Sequence, residues 1–181
     1  MKQINRFLKI GLVLAILGAG YFFTSLTIFD RTLIQLNTSQ KLSYIPFENK
    51  LNMQCDKADN LVPKLAFSRF HLITWNVHKG QDTGWQEDLE RLSKRADFVL
   101  LQEATQHQNL NTFSTALFVS SFSFKDLLSG VKTFTKTQPE WYCGGGVAEP
   151  LIQIPKVASV MSFPLEKGDS LLLINVHLIN F

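Results

Sequence analysis

Two apolar stretches dominate the hydrophobic pattern, and their lengths separate them. Residues 10–29 run without a single charge. Twenty such residues rise about 30 Å as a helix, the thickness of a bilayer's hydrocarbon core. Lys2, Arg6 and Lys9 precede the block, and a cationic flank predicts that this end stays cytoplasmic. A cleaved signal peptide is the rival reading, because Gly18-Ala19-Gly20 offers small residues after a shorter apolar run. The run continues past that point through Phe22, Phe23, Leu26, Ile28 and Phe29, which favours an uncleaved anchor. The expectation is a single-pass membrane protein whose domain is extracytoplasmic, and periplasmic if the cell is Gram-negative.

The second stretch, residues 97–103, reads Asp-Phe-Val-Leu-Leu-Gln-Glu. Four consecutive apolar residues, 98–101, are too few for a buried helix and suit a central strand covered on both faces. The strand stops at Gln102 and Glu103. Ligands of α/β proteins gather outside the carboxyl ends of strands, and a carboxylate held there suits a hard divalent cation. By itself, Glu103 is better read as marking where a core strand meets water, since structural carboxylates far outnumber catalytic ones.

Residues 70–77 form a further predicted strand, rich in β-branched and aromatic positions. It carries Asn76 near its end, followed by His78, Lys79 and Gly80. Asn76 can end the strand by bonding to its own turn, or present an oxygen beside a metal. Between the two strands, Thr83 and Gln86 have capping-box spacing, and Trp85, Leu89 and Leu92 form an apolar stripe. Glu87–Arg91 and Glu90–Lys94 are spaced to pair across one helical turn. Strand, helix and strand predict a right-handed βαβ unit with Asn76 and Glu103 at the same edge.

The remaining segments are read more briefly. Residues 31–69 read as a linker with at most one short element, containing Pro46 and Pro63. Leu110, Phe113 and Leu117 suit a short helix. Ser129-Gly130 is expected to turn, residues 131–137 to form a strand, and Cys143-Gly144-Gly145-Gly146 to loop. No Lys-Ser/Thr pair follows those glycines, which excludes a P-loop. Residues 156–163 and 171–181 read as antiparallel strands joined through Gly168-Asp169. On the last strand Asn175 and His177 are two apart, hence expected on one face.

Charge and cysteine content narrow the classes. Of the net charge of +3, Lys2, Arg6 and Lys9 sit before the apolar block, so the excess reflects topology. No stripe of Lys and Arg interleaved with aromatics follows, so there is no strong nucleic-acid signature. Two cysteines, Cys55 and Cys143, exclude a disulfide scaffold and a four-cysteine zinc site. They could pair in an oxidising compartment, although two unpaired structural thiols are the blander and preferred expectation.

Taken together, Ile73-Thr-Trp-Asn76-Val, Val99-Leu-Leu-Gln-Glu103-Ala, Ser129-Gly-Val131 and Asn175-Val-His177-Leu resemble the endonuclease/exonuclease/phosphatase superfamily, in an uncharacterised bacterial branch. The resemblance covers residues 70–181. It implies an α/β fold: part of a two-sheet sandwich flanked by helices, preceded by one transmembrane helix. It divides the chain into an anchor (1–30), a linker (31–69) and an amino-terminal half of the domain (70–181). It further implies a metal-dependent hydrolase of phosphate esters, a phosphodiesterase or nuclease working with Mg2+. Glu103 would be the metal ligand with Asn76 beside it, and Asn76, Asn175 and His177 would be the catalytic groups.

The chain departs from that family by lacking the later Gly-Asp-x-Asn and Asp-His segments. The alternative expectation is therefore a non-catalytic remnant or a membrane-anchored interaction module. Such a half would also leave apolar strand faces uncovered.

Overall fold

A computed structural model describes residues 2–38, 42–44, 53–58, 62–66, 69–149 and 154–178. Among the described residues the chain is mixed α/β, with two sheets and two α-helices. Helix α1 spans Lys2–Ser25, and its segment Phe7–Ser25 is long and apolar enough to cross a membrane. The apolar block was expected to stay helical to residue 29. Instead the helix ends at Ser25 and strand β1, Leu26–Thr38, begins at once. The reason is periodicity: Thr32, Ile34 and Leu36 alternate inward and are buried, a two-residue period that a helix cannot satisfy.

Strand β1 pairs along β6, Thr115–Phe124, with a register shift between Ile28 and Leu33. The segment read as a linker thus supplies part of the body of one sheet. It also supplies β2, Leu42–Tyr44, and β3, Gln54–Lys57. Leu65 adds an isolated bridge to Leu165. Pro46 lies outside the described residues.

The six-stranded sheet has the order β2-β1-β6-β7-β5-β4, where β4 is Leu72–Asn76, β5 is Phe98–Thr105 and β7 is Leu127–Thr135. Among its described strands only β4 and β5 run parallel, with Asn76 opposite Gln102. This is the expected βαβ unit. The other sheet has the order β10-β9-β8-β3, all antiparallel, with β8 at Trp141–Ala148, β9 at Pro155–Pro164 and β10 at Ser170–Val176. The β9–β10 hairpin is the one expected. Strand β10 stops at Val176, short of the expected residue 181. Residues 179–181 lie outside the described ones.

Strand β5 shows why its pattern is so apolar. Phe98 and Leu100 face the other sheet and join a core with Val131, Tyr142, Met161 and Phe163. Val99 and Leu101 face the opposite way, into a core with Val77, Leu89 and Phe134. Leu89 comes from α2, Trp85–Ser93, which covers this outer face. The expected cap at Thr83 does not form. Gly84 is the N-cap at φ 77° with no side-chain capping bond. Leu92, expected in the apolar stripe, is 45% exposed, because the short helix buries Leu89 and Ser93 instead. Arg91 pairs with Asp88 at 2.7 Å rather than one turn back to Glu87.

Three local expectations fail for a common reason, which is packing between strands. The segment with Leu110, Phe113 and Leu117 is not helical; Leu117 lies in β6. Ser129-Gly130 does not turn but lies within β7. A side chain at Gly130 would sit 1.9 Å from the Val119 carbonyl oxygen, so only glycine lets β6 and β7 approach there. The turn falls at Lys125-Asp126, both at positive φ (49° and 64°), as a two-residue hairpin requires. The Cys-Gly-Gly-Gly segment is not a loop either. It is the middle of β8, where a side chain at Gly144 would come within 2.8 Å of Ile34 and Val119 in the facing sheet.

Cys55 and Cys143 are directly paired across β3 and β8 and form a disulfide, with an S–S distance of 2.01 Å. The expectation of two free thiols is corrected by that register. On β10, Leu172, Ile174 and Val176 are exposed, while Leu173 and Asn175 are buried. One face of this strand is therefore apolar and bare.

Candidate functional site

The parallel pairing of β4 and β5 brings two polar strand ends together. Just past Asn76, the Val77 amide donates to the Gln102 carbonyl at 3.0 Å. Beyond that point β5 bulges. Leu101 pairs with Lys132, but the next partners are Ala104 and Gly130, so two residues of β5 face one of β7. The bulge places Glu103 at φ 49°, a left-handed conformation that costs a side-chain-bearing residue roughly 1–3 kcal/mol. His78 (φ 45°) and Lys79 (φ 57°) share it, in the short 3-10 turn His78–Gly80 that follows β4. Strain at Lys125 and Asp126 is explained by their hairpin. Of the strained residues in the bulge and the 3-10 turn, Lys79 and Glu103 converge on one spot, while the His78 ring lies 3.5 Å from Asp82.

That spot is the Glu103 carboxylate. Oε1 accepts from Asn76 Nδ2 at 3.0 Å, and Oε2 accepts from Lys79 Nζ at 2.9 Å. His177 Nε2 lies 3.7 Å from Oε1. Asn76 is itself fixed, since its Oδ1 accepts the His78 amide at 3.0 Å. Its amide therefore ends the strand and aims Glu103, the two readings of Asn76 being combined in one side chain. Partial burial pushes the Glu103 carboxyl up. The bonds from Asn76 and Lys79, with the charges of Lys79 and His177, outweigh it and hold the group at about 2.

His177 arrives from the other sheet. It lies one residue beyond β10, its amide donating to the Val157 carbonyl at 3.3 Å. Burial, then the nearby Lys156, lower its pKa below 6.5, against the opposing pull of Glu103. Lys156 pairs with Glu149 at 3.3 Å. A cavity of about 590 Å³ joins these groups, with Lys79, Glu103, Glu149, Lys156 and His177 at its polar end.

Asn175 does not join them. It is 1% exposed and spans the two sheets, its Nδ2 donating to the Leu101 carbonyl at 3.1 Å, to the Lys132 carbonyl at 3.3 Å and to Thr133 Oγ1 at 3.1 Å. Its Oδ1 accepts from Gln102 Nε2 at 2.7 Å. Asn175 and His177 were expected on one strand face. The strand ends between them, so Asn175 locks the sheets together while His177 reaches Glu103. Lys79 and Lys156 were not singled out as site residues. For Lys79 the available signal was a cation three residues past a strand that ends in Asn; Lys156 carried none, because its place depends on packing of the second sheet.

Among the described residues no group of three or more His, Cys, Asp or Glu side chains could hold a metal ion. The site offers the ionised carboxylate of Glu103, with Glu149 lining the same cavity and paired with Lys156. That donor set does not make a protein cage, but it suits Mg2+, which takes one or two carboxylates and completes its shell with water and phosphate.

The chain is similar to UPF0294 proteins. It is 34% identical to one from Yersinia pseudotuberculosis over 61% of this chain and 44% of that protein. For one from Klebsiella pneumoniae the figures are 32%, 66% and 47%. For one from Photorhabdus laumondii they are 29%, 75% and 56%. The chain spans about half the length of these curated relatives. No family profile and no solved structure matches it.

These comparisons correct the assignment to the endonuclease/exonuclease/phosphatase superfamily. The relatives carry a different family name, and none of these names includes hydrolase, nuclease or phosphodiesterase. The motifs that suggested the superfamily have structural explanations. Asn76 caps its own turn, Gly130 admits a neighbouring strand, and Asn175 ties two sheets.

Proposed function

We propose that the Glu103 cluster is a phosphate-ester site, cleaving its substrate with the help of Mg2+, in a protein held to the membrane by its amino-terminal helix. The observation that carries this reading is the strained Glu103 itself, gripped on both oxygens by Asn76 and Lys79. Strain of that kind persists only where the surroundings over-determine it, and it concentrates at functional sites. Bound Mg2+ would draw charge off the phosphoryl oxygens as water attacks in line.

The chain's own residues supply the rest. Glu103 stays ionised across the physiological range. Asn76 fixes the rotation of its carboxylate. Lys79 and Lys156 present ammonium groups to an anionic substrate, and charge-assisted bonds of this type are the strong ones. His177, whose pKa burial lowers, can take a proton from the attacking water.

Several features support an uncleaved anchor with the domain on the far side of the membrane. The cationic flank fits the expected topology. The Cys55–Cys143 disulfide fits an oxidising compartment. The helix end is also built into the domain: the Lys125 amide donates to the Ser25 carbonyl at 2.8 Å, and the Phe22 and Phe124 rings lie 5.9 Å apart. The finer architecture would be a two-sheet sandwich flanked by helices. One observation favours the non-catalytic reading, an interaction module: both carboxylates of the cavity, Glu103 and Glu149, are already paired with lysines.

The test uses the full chain in detergent, assayed for release of p-nitrophenol from p-nitrophenyl phosphate esters. Mg2+-dependent release, suppressed by EDTA and reduced about 100-fold in Glu103→Gln, supports the site. Turnover that ignores EDTA and survives Glu103→Gln overturns it, and no turnover at all favours the interaction module.

A further inference from the structure

The cavity at Glu103 has two unlike ends. Its polar end holds Lys79, Glu103, Lys156 with its partner Glu149, and His177, while Phe22, Leu26, Phe122 and Phe124 line the other. Phe22 lies in the last turn of the membrane-length helix Phe7–Ser25, and Phe124 ends β6. The apolar end is therefore built where the helix meets the domain. Lys125 marks the same level, with its Nζ 5.0 Å from the centre of the Tyr21 ring. Tyr and Lys side chains together are characteristic of the bilayer's headgroup region. At about 590 Å³ the cavity falls within the range of ordinary ligand sites.

Burial chemistry limits what can fill such a space. A nucleotide or sugar phosphate would set its hydroxyls and ring nitrogens against phenylalanines, where nothing pairs with them. A hydrocarbon chain suits that wall. It also reaches the cavity without crossing water, because the wall continues into the helix that lies in the bilayer.

We propose that the ligand of this site is a membrane lipid carrying a phosphate ester. Its headgroup phosphate is held by Lys79 and Lys156 beside Glu103, and its chain lies along Phe22, Phe122 and Phe124. This rests on the phosphate-ester reading above and names the substrate class for it. Lys125, basic, exposed and 5.9 Å from the centre of the Phe124 ring, favours an anionic membrane surface.

The experiment uses the full chain in non-ionic detergent with Mg2+, and p-nitrophenyl phosphodiesters whose second alkyl group is ethyl, octyl or dodecyl. The expected result is at least a tenfold rise in kcat/KM from ethyl to dodecyl, most of it lost in the Phe22→Ser/Phe124→Ser double variant. Equal kcat/KM for all three esters overturns the lipid assignment and leaves the phosphate-ester reading standing. A rise that survives in the double variant reports partition into micelles and overturns it too. Absence of cleavage of any ester removes both.

A second measurement does not depend on turnover. Phosphatidic acid bearing a diazirine at the end of one chain is photolysed with the full chain. Crosslinks at Phe22, Phe122 or Phe124 that are competed by unlabelled phosphatidic acid support the proposal. Crosslinks confined to residues 7–20 overturn it.

Discussion

Asn76 Nδ2 and Glu103 Oε1 meet at 3.0 Å across two parallel strands, 27 residues apart in sequence. Neither strand end could hold the other alone. The turn after β4 fixes Asn76, and the bulge in β5 delivers Glu103 to it. Removing this donor should let the carboxyl move back towards its ordinary value. Carboxyl carbon NMR should find Glu103 titrating near 2 in the parent and at a higher pH in Asn76→Ala. The same group stabilises the fold fully above about pH 4.5, and that contribution is lost as pH falls towards 2. An unchanged titration in the variant would show that the bond does not hold the carboxylate.

Asn175 makes the opposite prediction from the one its motif suggested. It is a buried strut, so Asn175→Leu should remove its bonds to Gln102 Nε2, to the Leu101 and Lys132 carbonyls and to Thr133 Oγ1. Unpaired buried polar groups cost about 1–3 kcal/mol each. Denaturant unfolding of the full chain in detergent should show a loss of at least about 2 kcal/mol. Full stability with selective loss of Mg2+-dependent activity would instead make Asn175 a catalytic residue.

What the sequence made legible was local and periodic. Strand β5, the βαβ unit and the final hairpin follow from two-residue alternation, apolar runs and turn chemistry. Asn76 and Glu103 became neighbours on paper because a right-handed crossover leaves few choices. The failures concern residues whose role depends on what faces them. Gly144 looks like a loop until Ile34 and Val119 are set against it. Leu26 to Phe29 look like membrane helix until β6 offers them a partner. His177 was found, but its contact with Glu103 depends on how the second sheet docks, and nothing in one strand encodes that. Lys156 was missed for the same reason.

Lys132 offers a test of the interior away from the site. It is buried on β7, where Nζ donates to the Gln106 and Gln108 carbonyls and lies 5.5 Å from the ring centres of Phe118 and Phe134. Burial pushes its pKa down to about 8 from 10.5. Between those values the unfolded chain binds the proton and the folded chain does not. Stability should therefore rise with pH across that window. Melting of the full chain from pH 8 to 10.5 should show this rise relative to Lys132→Met. Parallel pH curves for the two proteins would mean that Lys132 keeps its proton in the fold.

The disulfide closes a long loop, the cysteines being 88 residues apart. Cross-linking over that distance restrains the unfolded chain and is worth about 4 kcal/mol. The Cys55→Ser/Cys143→Ser double variant should lose a similar amount in denaturant unfolding. Equal midpoints for the parent and the double variant would show that β3 is held by its ladder bonds alone.

The membrane anchor can be judged by its junction with the domain. A signal peptide is cut in an exposed, extended segment, yet residues 21–25 are helical and tied to the β6–β7 hairpin. Lys125 bonds to Ser25, and Phe22 packs on Phe124. Cutting near Tyr21 would remove the ring that lies under Lys125 and free the end of β1. The protein should therefore remain whole in the alkaline-washed membrane pellet, with a mass that includes Lys2, Arg6 and Lys9. A protease added from the far side of the membrane should degrade the domain and leave a protected piece containing residues 7–25. A soluble product beginning near Tyr21 would mean that the helix is a cleaved signal, and the apolar end of the cavity would then lose Phe22's membrane continuity.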